Sequence, residues 1–329
     1  MTRTVRIAVA AASLAFAVFA TACTTTETSR LALEWFDLGN TWSELKKWEK
    51  AGAAYSRALA LDSKLGAATY NFARALAEAG DYTKALAMVE EIMASDPENI
   101  RLLSLKAFAL HKSGNARAAL TAYDAVLALD PYAPDAVFNA ALLRSAAGDA
   151  IGAEADLERL LSAQPEDAGA LGLYARILAE LGKREKAIEV FERLKSSGKS
   201  DPYSLERLGG LYASGDDYAK AIEAYAAATL ADPRRASAWF ELARLKLTRV
   251  EDGKAGLEAL KRALDSGFAD KDAAAALLLE SMLLEREAVT KMLREKKLVA
   301  ADGSAATGAQ TTDSAAATVD PASSAGATK

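Results

Sequence analysis

A small residue returns every 34 positions along most of this chain. Ala51, Ala85, Ala119, Ala153, Ala187, Ala221 and Ala255 mark one register, and Gly39, Ala73, Ala107, Ala141, Ala175, Gly209 and Ala243 mark a second. Small side chains at a fixed interval let two helices approach at the same point of each unit. A period of this length belongs to stacked supersecondary units. Apolar residues recur at steps of three and four, as in Leu157, Leu160 and Leu161, the spacing of one helical face. No β-branched run or hairpin signal competes, so the pattern predicts an all-α array.

The first unit runs Trp35, Leu38, Gly39, Trp42, Ala51, Tyr55, Ala58, and the sixth Leu205, Leu208, Gly209, Tyr212, Ala221, Tyr225, Ala228, Pro233. This order resembles the tetratricopeptide repeat at nearly every signature place. The resemblance implies a right-handed α-solenoid of about seven helix-turn-helix units over residues 32–269, starting near Ala32, Gly66, Ile100, Pro134, Ala168, Pro202 and Ala236. Gly80-Asp81-Tyr82 fits the turn inside a unit, with glycine ending one helix and a polar residue starting the next. Lys106 stands at a place that is usually apolar, and Ser63 and Lys199 replace the proline supplied elsewhere by Pro97, Pro131, Pro165 and Pro233. In the seventh unit the pattern runs better through Gly256, Leu260 and Ala263, which predicts one extra residue between Val250 and Gly253. The signature aromatics Trp35, Trp42, Trp239, Tyr55, Tyr123, Phe191 and Tyr225 read as packing residues.

Arg3 and Arg6 precede an apolar stretch from Ile7 to Ala20, the make-up of a secretion signal over residues 1–22 and too short to span a bilayer comfortably. Cys23, the single cysteine, follows Ala20-Thr21-Ala22 at a place that resembles the lipobox of bacterial lipoproteins. That resemblance implies diacylglyceryl attachment to Cys23, a short tether over 23–31, and an exported protein on the periplasmic side of the outer membrane. Ala20 departs from the leucine the family prefers. The triplet also fits ordinary A-x-A cleavage, which leaves a soluble periplasmic protein with a free thiol. At the other end, 270–300 keep a helical pattern suited to a capping helix pair, and 301–329, nearly all Ala, Thr, Ser, Gly and Asp, read as a disordered tail.

The formal charge of −5 becomes more negative once Arg3 and Arg6 leave, which argues against nucleic acid as a partner. Signal, tether, repeats, cap and tail together leave no stretch for a catalytic domain. His111 is the only histidine, and no phosphate loop or metal-ligand spacing occurs. Carboxylates such as Glu90-Glu91 and Asp216-Asp217 read as exposed. The chain is therefore expected to be no enzyme and to need no cofactor.

In the tetratricopeptide family the first helix of each unit lines a concave, peptide-binding groove. Position by position, this implies Phe36 and Asn40, then Tyr70, Asn71 and Arg74, then Arg101, Phe108 and His111. Phe138 and Asn139, Arg176, Tyr203 and Arg207, and Phe240 and Arg244 continue the row. Asparagine amides both donate and accept, arginine holds carboxylates in two bonds, and rings give rigid apolar area. The carboxylate clamp of chaperone-binding members is partly matched by Asn40, Asn71 and Arg101, with Phe36 and Leu105 where that clamp has Lys and Arg. The expected function is a lipid-anchored envelope adaptor that binds protein or peptide segments. The alternative expectation is a pilotin-like assembly factor for a secretion or pilus machine.

Overall fold

The computed structural model describes residues 27–300 and 303–306. Among them are sixteen helices and no strand, divided into two compact units that meet in sequence at Lys199 and Ser200. The first unit holds α1 (27–44), α2 (Trp48–Leu61), α3 (Gly66–Glu78), α4 (Tyr82–Met93) and α5 (Ile100–Lys112). It continues with α6 (Ala116–Leu129), α7 (Pro134–Ala146), α8 (Ala150–Ala163), α9 (Ala168–Glu180) and α10 (Arg184–Ser196). The second holds α11 (Pro202–Ala213), α12 (Tyr218–Ala231), α13 (Ala236–Thr248), α14 (Gly253–Asp265), α15 (Lys271–Leu279) and α16 (Arg286–Glu295).

The 34-residue registers are the close-approach points of these pairs. Ala51, Ala85, Ala119, Ala153, Ala187 and Ala221 are completely buried, as are Ala73, Ala107, Ala141, Ala175 and Ala243. Where glycine replaces alanine, a tyrosine takes the space. A Cβ on Gly39 would stand 2.5 Å from the Tyr55 ring, and one on Gly209 2.9 Å from Tyr225. Tyr55, Tyr123, Phe191 and Tyr225 are buried, whereas Trp35, Trp42 and Trp239 are half-buried under cations. Arg57, Lys50 and Arg262 stand over those three rings. Lys106 stays partly in water and meets Glu90 at 3.2 Å.

The turn inside each unit is set by one backbone position. Gly80, Gly114, Gly148 and Gly182 have positive φ there, and so do Lys46, Asp216 and Glu251 at the same place in their units. The left-handed conformation costs a residue with a Cβ about 1 kcal/mol that glycine does not incur. Lys46→Gly and Glu251→Gly should therefore each stabilise their unit by about that amount, read as a rise in thermal midpoint. Gly80→Ala should lower it.

The next residue caps the second helix. Asp81, Asn115, Asp149, Asp217 and Asp252 each accept from the backbone N–H three residues on, satisfying a donor the helix leaves orphaned. The seventh turn is one residue longer. Asp81, Asn115, Asp149 and Asp217 donate their N–H to the carbonyl five residues back, whereas Asp252 reaches Lys246, six back. In consequence Gly256, not Ala255, is buried there with Leu260 and Ala263.

First helices are capped too. Burial pushes the Asp201 carboxyl up, but the Ser204 hydroxyl and the N–H groups of Ser204 and Tyr203 outweigh it and hold the carboxyl below its usual range. Its contribution is complete above the unfolded value, about pH 4. It is lost as pH falls through the lower folded value. Thermal midpoints between pH 5 and pH 2 should thus fall less steeply for Asp201→Asn than for wild type.

Some expectations change. The first helix starts at residue 27, ahead of Ala32, so the segment read as tether ends in helix. Residues 303–306, read as the start of a disordered tail, instead fold back: Ala300 N–H bonds to Ser304 and Ala306 N–H to Leu298. At that end α15 and α16 pack together, α16 also meets α14, and Val289 and Leu293 are fully buried. The signal at 1–22, Cys23 and residues 307–329 lie outside the described residues.

Candidate peptide groove

The first helices of successive pairs touch, α3 on α5 and α7 on α9, which gives the first unit a face built of first helices. Between α3, α5 and α7 this face holds a cavity of about 530 Å³. Tyr70, Arg74 and Glu78 line it from α3, and Ser104, Leu105 and Phe108 from α5. Tyr123 of α6 and Asp135 and Asn139 of α7 complete it. Four of the groove residues expected from the sequence, Tyr70, Arg74, Phe108 and Asn139, thus converge on one hollow.

Neighbouring groups stiffen that hollow. The Arg101 guanidinium stacks on Tyr70 at 4.3 Å and Lys112 stands 5.8 Å from Phe108, contacts of the cation–π kind. Asn139 donates to the Asp135 carbonyl at 2.7 Å. Burial and the Asp135 charge push the Tyr123 hydroxyl up to about 12, so it remains a neutral donor. His111 meets Tyr123 edge to face at 6.3 Å, and burial with the Lys112 charge lowers its pKa. It packs on Tyr123 and does not itself line the hollow.

The other expected groove residues are spread out. Phe36 is half-buried against Tyr55, ring centroids 5.8 Å apart. Asn71 donates to Asn40 at 3.0 Å and the Tyr55 hydroxyl to the same oxygen at 2.8 Å. Two positions of the clamp pattern are thus tied to each other, and Leu105 is in the core. Phe138 packs partly buried on the core around Leu157 and Ala170, and Arg176 pairs with Glu180 at 3.7 Å. In the second unit Arg207 stands 5.8 Å from Tyr203. Arg244, held by Glu241 at 2.7 Å, lines a separate cavity of about 410 Å³ with Tyr218 and Arg249. Phe240 is a correction: it is 2% exposed and stacks on Phe268 at 4.0 Å, a core residue and no part of a groove.

Sequence reading also passed over buried charge. Glu154 and Asp156 on α8 are 8% and 7% exposed. Glu154 accepts from Lys183 at 2.7 Å, and Asp156 from Arg144 and from Arg159, while Arg144 also reaches Asp124. Burial raises the Asp156 pKa against the pull of both arginines. These ions tie α6, α7, α8 and the α9–α10 turn together. Among the described residues no group of three metal-ligating side chains occurs, and no helix is long and apolar enough to cross a membrane.

Paired helices at a constant period, with first helices meeting one another in the first unit, define a helical-repeat protein of the α-solenoid class. The chain belongs to the tetratricopeptide repeat family. The family model described as the cytochrome c-type biogenesis protein H TPR domain matches residues 25–137, and two tetratricopeptide repeat models match 144–205 and 208–274. No curated protein matches it by sequence. Among solved structures, a tetratricopeptide repeat protein from Parabacteroides merdae is similar at 17% identity, TM-score 0.54, over 81% of this chain and 99% of that one. PilF of Pseudomonas aeruginosa is similar at 16% identity, TM-score 0.55, over 64% of this chain and 96% of its own. At such identities the likeness is one of fold. Proteins of this family generally serve as scaffolds that bind protein or peptide partners and are generally not enzymes.

Proposed function

We propose that this chain is a non-enzymatic adaptor of the bacterial envelope whose hollow between α3, α5 and α7 holds an extended protein segment. The observation that carries the reading is the convergence of Tyr70, Arg74, Phe108 and Asn139 on one cavity. The aromatic rings offer rigid apolar area, Arg74 an anchor for an acidic group, and Glu78 and Asp135 acceptors for backbone or cationic donors. Cys23, behind its apolar leader, would fix the array to the periplasmic face of the outer membrane. One acyl chain alone binds weakly, so the anchor needs the diacylglyceryl group.

Affinity capture from envelope extract tests the groove. Tyr70→Ala combined with Phe108→Ala should lower recovery of the captured partners at least about tenfold, the usual consequence of removing central aromatic anchors. Recovery equal to wild type would exclude this hollow. Detergent phase partition tests the anchor separately: wild type should enter the detergent phase and Cys23→Ser the aqueous phase. Both chains in the aqueous phase would leave a soluble exported protein.

A further inference from the structure

Along α1 and the turn after it, Leu31, Trp35, Leu38, Trp42 and Leu45 follow one another at steps of four and three, the spacing of a single helical seam. Leu31, Leu38 and Leu45 are 43%, 39% and 56% exposed. At the Trp35, Leu38 and Trp42 places several later units are covered. Val137 and Ala140, three units on from Trp35 and Leu38, are completely buried. Ala140 shares a cluster with Tyr123 and Val126 of α6, and Val137 one that includes Leu127. Leu171 and Leu178 of α9, which packs on α8, are buried in the same way. The seam on α1 is thus the face that later first helices give to the helix before them, and no described helix precedes α1.

The edges of the seam carry opposite charge. On the side towards α2, Arg57 stands 4.5 Å over Trp35 and Lys50 4.7 Å over Trp42. At about 100° per residue, the exposed Glu27 and Glu34 fall on the other side. Glu34 touches the exposed Arg30 of its own helix at 3.5 Å, a contact given up at little cost. When two such seams face each other about a two-fold axis parallel to α1, each acidic edge meets the other copy's basic edge. Glu34 then lies about 1.5 Å of helix rise from the level of Trp35 and its Arg57. An axis across the helix would set cations against cations. The carboxylates Glu27, Glu34, Asp37 and Glu44 along α1 disfavour an anionic bilayer as the covering surface.

We propose that the chain forms a parallel two-fold dimer through α1, with the leucine and tryptophan seam as its core and Glu34 paired with Arg57 of the second copy at its edges. The proposal does not depend on the groove. Sedimentation equilibrium of the full chain carrying Cys23→Ser, without thiol or lipid, should give twice the chain mass. Leu38→Asp should give a monomer. Arg57→Glu should weaken the dimer about tenfold, and Glu34→Lys on the same chain should restore it, a rescue that a merely misfolded variant would not show. Leu31→Cys in the Cys23→Ser chain, treated with oxidised glutathione, should give a disulfide-linked dimer, since the parallel arrangement brings that position against itself. A monomer at every concentration, a dimer that survives Leu38→Asp, no cross-link from Leu31→Cys, or no rescue by Glu34→Lys would each overturn the proposal. So would monomers that sediment with phosphatidylglycerol vesicles through this seam.

Discussion

Gly256→Leu is expected to destabilise the unit from Ser200 onward by about 3 kcal/mol, the upper end of what overpacking a closed interface costs. A Cβ at this position would meet Leu247 Cγ at 2.6 Å, Cδ2 at 2.9 Å and the Leu247 backbone nitrogen at 3.2 Å. The side chain has nowhere to go, because Leu247 is itself completely buried. The backbone contact is tight as well, so a rotamer change of Leu247 relieves only part of the crowding. Gly66→Ala is the control: nothing lies within 4 Å of the Cβ it adds, so its thermal midpoint should equal or slightly exceed that of wild type. Equal midpoints for Gly256→Leu and wild type would mean that α13 and α14 do not pack in this register.

Lys183→Met is expected to cost about 2 to 3 kcal/mol in the unit that ends at Lys199. Removing one partner of a buried pair strands the other charge, which costs more than the pair contributes. Glu154 has 10% of its side chain in water, whereas Lys183 has 42%, which moderates the loss. Lys183 also stands where five other units have an aspartate or asparagine cap, and it caps nothing itself. A substitution guided by the repeat pattern alone, Lys183→Asp, would restore a cap worth about 1 kcal/mol. It would also set a second carboxylate against buried Glu154, and should be worse than Lys183→Met. The double change Glu154→Gln with Lys183→Met should recover most of the loss, which thermal melts of the three variants beside wild type would read directly.

Lys183 also shows where a repeat sequence stops being legible. The period fixed where first helices begin, since α3, α5, α7, α9, α11 and α13 start at Gly66, Ile100, Pro134, Ala168, Pro202 and Ala236. The shift from Ala255 to Gly256 was readable as well, because apolar spacing reports which face is buried. The start of α1 was not, as Glu27, Thr28 and Ser29 carry no apolar signal on an exposed helix end. Buried Glu154 and Asp156 looked like water-facing carboxylates because, Arg159 on the same helix apart, their cations come from other elements, Lys183 from the α9–α10 turn and Arg144 from α7. Phe240 failed for a similar reason: its offset within the unit matches a groove position, but Phe268 beyond α14 covers it. The hollow was legible in part. Tyr70, Arg74, Phe108 and Asn139 followed from position in the repeat, whereas Glu78, Asp135 and Tyr123 enter it through packing that no single unit specifies.

Site-specific photo-crosslinking in living cells tests the central claim most directly. A photoreactive side chain at Ser104, which lines the hollow, should give a discrete adduct with a partner protein. The same group at Arg117, exposed on α6 and outside the hollow, should give none, and Tyr70→Ala with Phe108→Ala should abolish the Ser104 adduct. Adducts from Arg117 with none from Ser104 would contradict the account and assign recognition to another face of the repeats.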